Sequence, residues 1–283
     1  MSKRKHDNHD IITTSSKHQK ITTDNKPLFI DDVLFTIMTF LPTKFLFRTL
    51  TRVSRQFNHV VHLVPTKFEA YGLSRFIPFL SDRSEPIHLE ELIARFEQGD
   101  NLDTFRTLKK CPGLYLKSLV LEGDEYDGFC IDNEVVKVLA QMESLSHLKE
   151  LNFLGGCTFD HVGMGYVVNS PHLGRVEVLT VKSSKFHKAN VLTKSPMMSQ
   201  LTSFTSWDCD FSEFDLDREL SKLKTLALES MDDGEVLKCM PDLHKCTNLT
   251  RLVLYGVGDL ECKRVAESPL RQLEDLATER RQN

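Results

Sequence analysis

The sequence predicts an α/β protein in which a small N-terminal helical unit is followed by a short array of degenerate strand–helix repeats. Two observations lead to this architecture. Between Leu28 and Leu50, 14 of 23 residues are apolar, against 40% in the whole chain. From Leu116 onward, apolar residues recur in one fixed spacing pattern at six places. A chain of 283 residues is long enough for about two domains.

A polar segment precedes the helical unit. Residues 1–26 contain six Lys or Arg and three Asp, so this segment carries a net charge of +3 and the rest of the chain −7. Such a composition cannot bury enough apolar surface to offset the entropy lost on ordering. We therefore expect residues 1–26 to form a disordered basic tail. Its Lys3-Arg4-Lys5 run is a short basic patch of the kind used in nuclear import.

The apolar stretch predicts helices within a unit over residues 27–64. Asp31 or Asp32 can cap a first helix that runs to Leu41, and Pro42 follows it. A stripe at helical spacing is formed by Val33, Leu34, Ile37 and Leu41, and a second short helix with Phe45, Leu46 and Leu50 follows Pro42. About 40 residues rarely bury enough surface to be stable alone. The remaining burial comes either from the rest of the chain, with the helices as a cap, or from a partner protein.

This unit resembles an F-box. The resemblance rests on Phe29-Ile30-Asp31-Asp32-Val33-Leu34-x-x-Ile37, on Phe40-Leu41-Pro42, on Leu46 and on Val53-Ser54-Arg55-x-Phe57. Four positions depart from the family, which has Leu, Pro, Glu and Trp where this chain has Phe29, Ile30, Asp32 and Phe57. The resemblance implies that a Skp-type adaptor binds the residues at the motif positions, namely Phe29, Ile30, Val33, Leu34, Ile37, Leu41, Leu46 and Val53.

The second half carries the pattern Leu-x-x-Leu-x-Leu in degenerate form. It occurs at Leu116/Leu119/Leu121, Leu148/Leu151/Phe153, Val176/Leu179/Val181, Leu201/Phe204/Ser206, Leu223/Leu226/Leu228 and Leu249/Leu252/Leu254. The steps of 32, 28, 25, 22 and 26 residues are close to the period of leucine-rich repeats. A strand and a helix cannot bury their own apolar face, but stacked copies share one core. The pattern thus predicts a short leucine-rich-repeat solenoid over 111–283, with an ordinary α/β domain as the alternative.

The connecting segments complete this prediction. Helices are expected over Asn133 to Met142 and over Gly234 to Met240, each after a strand. Residues 65–110 form a junction, in which Leu89 to Ile93 is expected to be the helix of a degenerate first repeat. The segment from Ser268 is either one last repeat or a capping helix.

The repeat also predicts a binding face. Alternate residues of a strand point to opposite sides, so the residue after each third apolar position points away from the core. On the concave face these residues form a ladder for a target protein, namely Glu122, Leu154, Lys182, Trp207, Glu229 and Tyr255. Trp and Tyr are frequent in the energetic centres of interfaces. The alternative for Trp207 is that it fills the gap left by Ser206, which replaces a leucine.

Several function classes are not favoured by the sequence. A net charge of −4 argues against a general nucleic-acid surface. Seven Cys with no Cys-x-x-Cys pair predict reduced, mostly buried thiols and no metal site, and phosphate-loop, nucleophile-elbow and zinc-protease motifs are missing. With no apolar stretch long enough for a membrane span and no secretory h-region, we expect a cytoplasmic or nuclear protein without membrane contact.

These observations favour a non-catalytic protein without a cofactor. By its resemblance, it is expected to be the substrate-recognition adaptor of a Skp–cullin–F-box ubiquitin ligase. It would bind a Skp-type adaptor, through it a cullin–RING ligase, and an unknown target protein. The alternatives are a leucine-rich-repeat scaffold with no ligase link and a cysteine-dependent hydrolase, which requires a thiol of lowered pKa.

Overall fold

The computed structural model describes residues 31–39, 41, 46, 49, 53–64, 66–81, 87–97, 100–111, 114–123, 129–182, 190–207, 220–229, 245–255, 270 and 272–279. The helices are α1 (Asp31–Thr39), α2 (Arg55–Leu63), α3 (Leu73–Ser81), α4 (Leu102–Lys109), α5 (Asn133–Ala140), α6 (His161–Val168) and α7 (Asn190–Thr193). The strands are β1 (Thr66–Tyr71), β2 (Ile87–Arg95), β3 (Leu114–Tyr115), β4 (Ser118–Glu122), β5 (Glu150–Leu154), β6 (Val178–Lys182), β7 (Ser203–Trp207), β8 (Thr225–Glu229), β9 (Arg251–Tyr255) and β10 (Asp275–Glu279). Short 3-10 helices lie at Glu143–Leu145 and Met198–Gln200.

The strands form a parallel sheet in chain order. From β1 the order is β2, then β4 through β10, while the two-residue β3 pairs with the start of β2. The structure therefore confirms the α/β class. Helices α5, α6 and α7 lie in successive connections between the strands, and α5 contacts α6 as α6 contacts α7.

The strands begin with one recurring hydrogen-bond arrangement. The carbonyl of Lys117, just before β4, accepts hydrogen bonds from the N–H groups of Lys149 at 2.8 Å and Glu150 at 3.0 Å. The carbonyls at the equivalent positions of the later strands accept the same pair of bonds, at Lys149, Glu177, Thr202, Lys224 and Thr250. Each strand thus enters the sheet in the same register as the one before, although the connections differ in length.

The predicted leucine pattern forms the buried face of this sheet. Its middle positions pair strand by strand, as Leu119 with Leu151 and Leu151 with Leu179. None of the eighteen predicted positions from Leu116 to Leu254 is more than 2% exposed. The spacing of the pattern therefore gave both the strand positions and their inward face correctly.

The structure overturns one expectation at the start of the array and bears on the two alternatives left open at its end. The helix expected over Leu89 to Ile93 is wrong, because this segment is the strand β2. Leu89, Leu92 and Ala94 are at most 1% exposed, and Leu92 pairs with Leu119, so β2 repeats the later strands with alanine in place of the third leucine. At the other end, residues 275–279 form β10 beside β9, which agrees with one last repeat rather than a helix.

Aspartate side chains cap the first turns of two helices that lie between strands. Asp132 Oδ1 accepts a hydrogen bond from the Val135 N–H at 3.0 Å, and the helix predicted from Asn133 is confirmed as α5. Before α3, the buried carboxylate of Asp100 accepts from the N–H groups of Leu73 at 3.0 Å and Ser74 at 2.7 Å. Asp100 itself lies just before α4, so its carboxylate ties the start of α3 to the connection between β2 and α4.

The N-terminal helices pack on each other and on the sheet. The predicted first helix is confirmed as α1, which ends two residues before Leu41. Its buried side is formed by Leu34 and Met38, which are 3% and 1% exposed, whereas Val33 and Ile37 of the predicted stripe face outward. Leu34 and Met38 belong to the same core cluster as the strands.

Three expectations lie outside the described residues. They are the basic tail over 1–26, the short helix after Pro42 apart from Leu46, and the helix expected over 234–240.

Candidate interaction surfaces

The F-box-like residues divide between core and surface. Leu34 and Leu46 are buried at 3% and 1% exposure, and Leu41 is half-buried. Val33 is 46% exposed and Ile37 50%. Because these two residues are four apart on α1, they lie one above the other on the same side of the helix.

A third motif position is also exposed. Val53, which precedes α2, is 60% exposed, and the next residue, Ser54, caps that helix by accepting a hydrogen bond from the Phe57 N–H at 3.1 Å. The remaining two motif positions, Phe29 and Ile30, lie outside the described residues. The exposed apolar positions of the unit that the structure describes are therefore Val33, Ile37 and Val53, with Leu63 at the end of α2.

The predicted ladder lies on the sheet face opposite the core. All six residues, Glu122, Leu154, Lys182, Trp207, Glu229 and Tyr255, are half-buried. They share one register, as Glu122 pairs with Leu154, Lys182 with Trp207 and Glu229 with Tyr255. The row beside them consists of short side chains and aliphatics, namely Val120, Asn152, Thr180, Thr205, Ala227 and Val253. The outward face thus has one row of small or aliphatic side chains beside a row that is mostly charged or aromatic.

Trp207 does not occupy the space left by Ser206. Ser206 is fully buried, and its hydroxyl has no hydrogen-bond partner within the part of the chain that the structure describes. Trp207 follows it on β7 and is half-buried on the outward face. Successive residues of a strand point to opposite faces, so the two side chains lie on different sides of the sheet.

The first two strands extend the ladder with a charged cluster that the sequence analysis missed. Tyr71 pairs with Arg95 and Arg95 with Glu122 in the same register. Arg95 Nε lies 2.7 Å from Glu122 Oε2, and its guanidinium also bonds to Glu69. The guanidinium carbon is 5.2 Å from the centre of the Tyr71 ring, which is a cation–π distance. The Leu89-x-x-Leu92-x-Ala94 spacing, 27 residues before Leu116, was the signal that could have located this cluster.

Three of the four described cysteines are buried. Burial raises the pKa of the Cys111 thiol, which disfavours the reactive thiolate. Cys157 and Cys246 are also buried, at 3% and 1% exposure. Among the described residues there is no group of three His, Cys, Asp or Glu side chains placed to hold a metal ion. The described helices also include none that is both long and apolar enough to cross a bilayer.

No protein-family model matches the chain, and no curated protein matches it either.

Proposed function

We propose that this chain is the substrate-recognition adaptor of a Skp–cullin–F-box ubiquitin ligase. The F-box-like unit binds a Skp-type adaptor and through it a cullin–RING ligase, and the leucine-rich repeats hold a target protein. In this proposal the chain performs no bond chemistry. It raises the local concentration of the target near the ubiquitin-charged enzyme, which alone can accelerate transfer by orders of magnitude.

The observation that carries the proposal is the exposure of the motif residues. Valine and isoleucine side chains on the surface of a small helical unit lose the stabilisation of burial unless a partner covers them. Val33 and Ile37 are exposed while Leu34 and Met38 of the same helix are buried. The unit thus keeps one apolar side for its own core and presents a second, and a docking motif requires both.

The sheet supports the target-binding half of the proposal. Its outward face presents Trp207, Tyr255 and the aliphatic Leu154 beside charged Lys182 and Glu229. Interface centres are enriched in such aromatic side chains, surrounded by polar groups that fix orientation. The parallel register places these groups on strands about 4.8 Å apart, so that one target can contact several of them.

Co-purification of the full chain with a Skp-type adaptor tests the docking half. We expect a complex at micromolar concentration, and we expect Ile37→Asp to abolish it because a carboxylate at the interface would be desolvated. Val162→Asp is the matched control, since Val162 is an equally exposed valine on α6, at 45%. A wild-type chain that is folded and forms no complex, or a complex that survives Ile37→Asp, overturns the ligase proposal.

Trp207→Ala tests the target-binding half. Proteins that are ubiquitinated in the presence of the wild-type chain should lose this modification with the variant, while the Skp-type adaptor still binds. Thermal unfolding of the variant serves as the control. Loss of folding rather than of target binding would mean that Trp207 has a structural role.

The alternative function is a leucine-rich-repeat scaffold with no ligase link. It is favoured by the packing of Val60, Val61 and Val64 of the helical unit into the same core as the strands, which is how a cap behaves. The adaptor co-purification decides between the two, because a scaffold binds its partners without a Skp-type protein.

A further inference from the structure

A cleft of about 460 Å³ opens at the edge of the sheet where the strands begin. The end of α2 borders it through Leu63, and the segments before β4, β5 and β6 line its other sides. Small-molecule sites commonly enclose about 300–1,000 Å³. The cleft is therefore large enough for a ligand and lies between the helical unit and the repeats.

The cleft has an apolar part. Leu89 and Leu116 form its floor and are 1% exposed, whereas Leu63 and Tyr115 on its walls are 47% and 41% exposed. Two of the large, exposed apolar side chains of the described residues thus line the same space. Burying them against a ligand would remove apolar surface from water and favour binding.

The other part of the cleft is basic. Lys117, Lys149 and Arg175 line it with a single carboxylate, Glu90, so the lining carries a formal charge of +2 in a chain whose net charge is −4. Lys117 Nζ lies 3.4 Å from Glu90 Oε1 and Lys149 Nζ lies 3.0 Å from Glu177 Oε1. Both pairs are exposed to solvent and are therefore weak.

Arg175 differs from the two lysines. It forms no ion pair with any described residue, and its Nη1 lies 3.5 Å from His147 Nδ1. The His147 ring in turn lies 5.6 Å from the Tyr115 ring. These three side chains therefore lie side by side, just before β4, β5 and β6. The guanidinium is available for an anion.

This arrangement is specific to the cleft. Tyr115, His147 and Arg175 each lie two residues before a carbonyl that accepts the paired hydrogen bonds at a strand start. The next two repeats have Gln200 and Lys222 at that position, and Lys222 Nζ donates to Gln200 Oε1 at 2.7 Å. Lys222 is therefore an exposed cation at an equivalent position outside the cleft.

We propose that this cleft binds a small amphipathic carboxylate, with its aliphatic body on Leu63 and Tyr115 and its carboxylate on Arg175. A guanidinium presents paired N–H donors that match a carboxylate, which favours this head group over a neutral one. Lys149 supplies a second positive charge beside it. This site is independent of the ligase proposal, because none of its residues belongs to the F-box-like motif or to the outward ladder.

Calorimetric titration of the full chain with decanoate tests the site. We expect saturable binding of decanoate, about tenfold weaker binding of 1-decanol, and about tenfold weaker binding of decanoate to Arg175→Gln. Lys222→Gln is the matched control and should bind decanoate as the wild type does. Equal binding of decanoate and 1-decanol, or equal losses in the two variants, would overturn the assignment of Arg175.

A second pair of variants tests the apolar part. Leu63→Ser should weaken decanoate binding several-fold, whereas Val162→Ser, which replaces an equally exposed side chain on α6, should not. Each methylene added from octanoate to decanoate should strengthen binding by about threefold. Absence of saturable binding in the folded wild-type chain, or affinities that do not depend on chain length, would overturn the site as a whole.

Discussion

The strand array and the N-terminal helical unit differ in how they treat their apolar side chains. Across the array, the eighteen positions of the leucine pattern are no more than 2% exposed. In the helical unit, Val33, Ile37 and Val53 are 46%, 50% and 60% exposed, although Leu34 and Met38 are buried. Each strand has a neighbour that continues the same core, whereas two packed helices have further sides that the described residues leave uncovered.

The difference predicts that the apolar side chains of the two regions contribute unequally to the stability of the fold. Apolar side chains of the array stabilise the fold, since their removal opens a cavity. Apolar side chains on the outer side of α1 contribute little to the fold, so their presence there needs another reason. Matched substitutions in the two regions can measure directly how much their apolar side chains contribute to the free energy of unfolding.

The largest effect is expected for Phe153→Ala. Phe153 is fully buried on β5, and its ring meets that of Phe159 edge to face at 4.9 Å. Loss of the ring should lower the free energy of unfolding by about 3–5 kcal/mol, as measured by urea denaturation. Leu154→Ala, one residue along the strand on the outward face, should cost about 1 kcal/mol or less. Similar losses at both positions would contradict the assignment of the two faces.

A smaller loss is expected for Gly163→Ala in α6. A Cβ at this position would lie 2.4 Å from Asn133 Oδ1 and 2.8 Å from Phe159 Cβ, so these neighbours would have to shift. We expect a loss of about 1–3 kcal/mol in the free energy of unfolding. Gly165→Ala in the same helix is the control. Its Cβ meets only Val191 Cγ1 at 4.0 Å, and it should gain about 0.5–1 kcal/mol.

The cap of the same helix predicts a pH-dependent contribution. Partial burial raises the pKa of the Asp160 carboxyl, but hydrogen bonds from the Val162 and Gly163 N–H groups and the contact with Asn133 outweigh it, so the pKa lies below its usual value. A lowered pKa in the folded state means that the stabilisation is present at neutral pH and is lost as the pH falls through the folded-state pKa.

Asp160→Ala should therefore lower the free energy of unfolding by about 1 kcal/mol at neutral pH. The difference in unfolding free energy between variant and wild type should shrink when the same urea titrations are repeated towards about pH 3, which is below the pKa of a free aspartate. Asp160→Asn keeps an acceptor for the helix and should lose less. A difference that is constant with pH would show that the charge of Asp160 contributes nothing.

A gain in stability is expected for Ser206→Ala. The Ser206 side chain occupies a core position that holds leucine, valine or phenylalanine in the neighbouring strands, and its buried hydroxyl has no partner among the described residues. Removal of an unsatisfied hydroxyl should raise the free energy of unfolding by about 1 kcal/mol. Ser203→Ala, on the outward face of β7, should produce no such gain in the same denaturation experiment.

The sequence predicted the array more completely than the helical unit for a physical reason. In a strand the side-chain period is two, so the residues between Leu116 and Leu254 that face inward follow from the pattern alone. On α1, apolar residues surround much of the helix, and which of them are buried depends on the elements packed against it. The helical period alone therefore could not predict that Leu34 and Met38 are buried while Val33 and Ile37 are exposed.

The ladder and the Arg95 cluster also differ in how far the sequence predicts them. The ladder from Glu122 to Tyr255 was predictable, because its residues follow inward positions of known register. The Arg95 cluster was not predicted, because Ala94 stands where a leucine marks the later strands, and because Glu69 meets Arg95 only through the register of β1 beside β2. That register includes an irregularity between Thr66 and Lys67, which the sequence does not indicate.

The smallest effect on stability is expected for Ile37→Ser. Serine and isoleucine have similar helix propensities, and Ile37 is half exposed, so the free energy of unfolding should change by about 0.5 kcal/mol or less. Met38→Ala, the next residue on α1 and 1% exposed, should cost about 2–4 kcal/mol in the same urea experiment. A loss of about 2 kcal/mol or more for Ile37→Ser is typical of a buried position. It would mean that the chain itself covers this side of α1. The helical unit would then act as a cap on the array, and its outer face would not be available to a Skp-type adaptor.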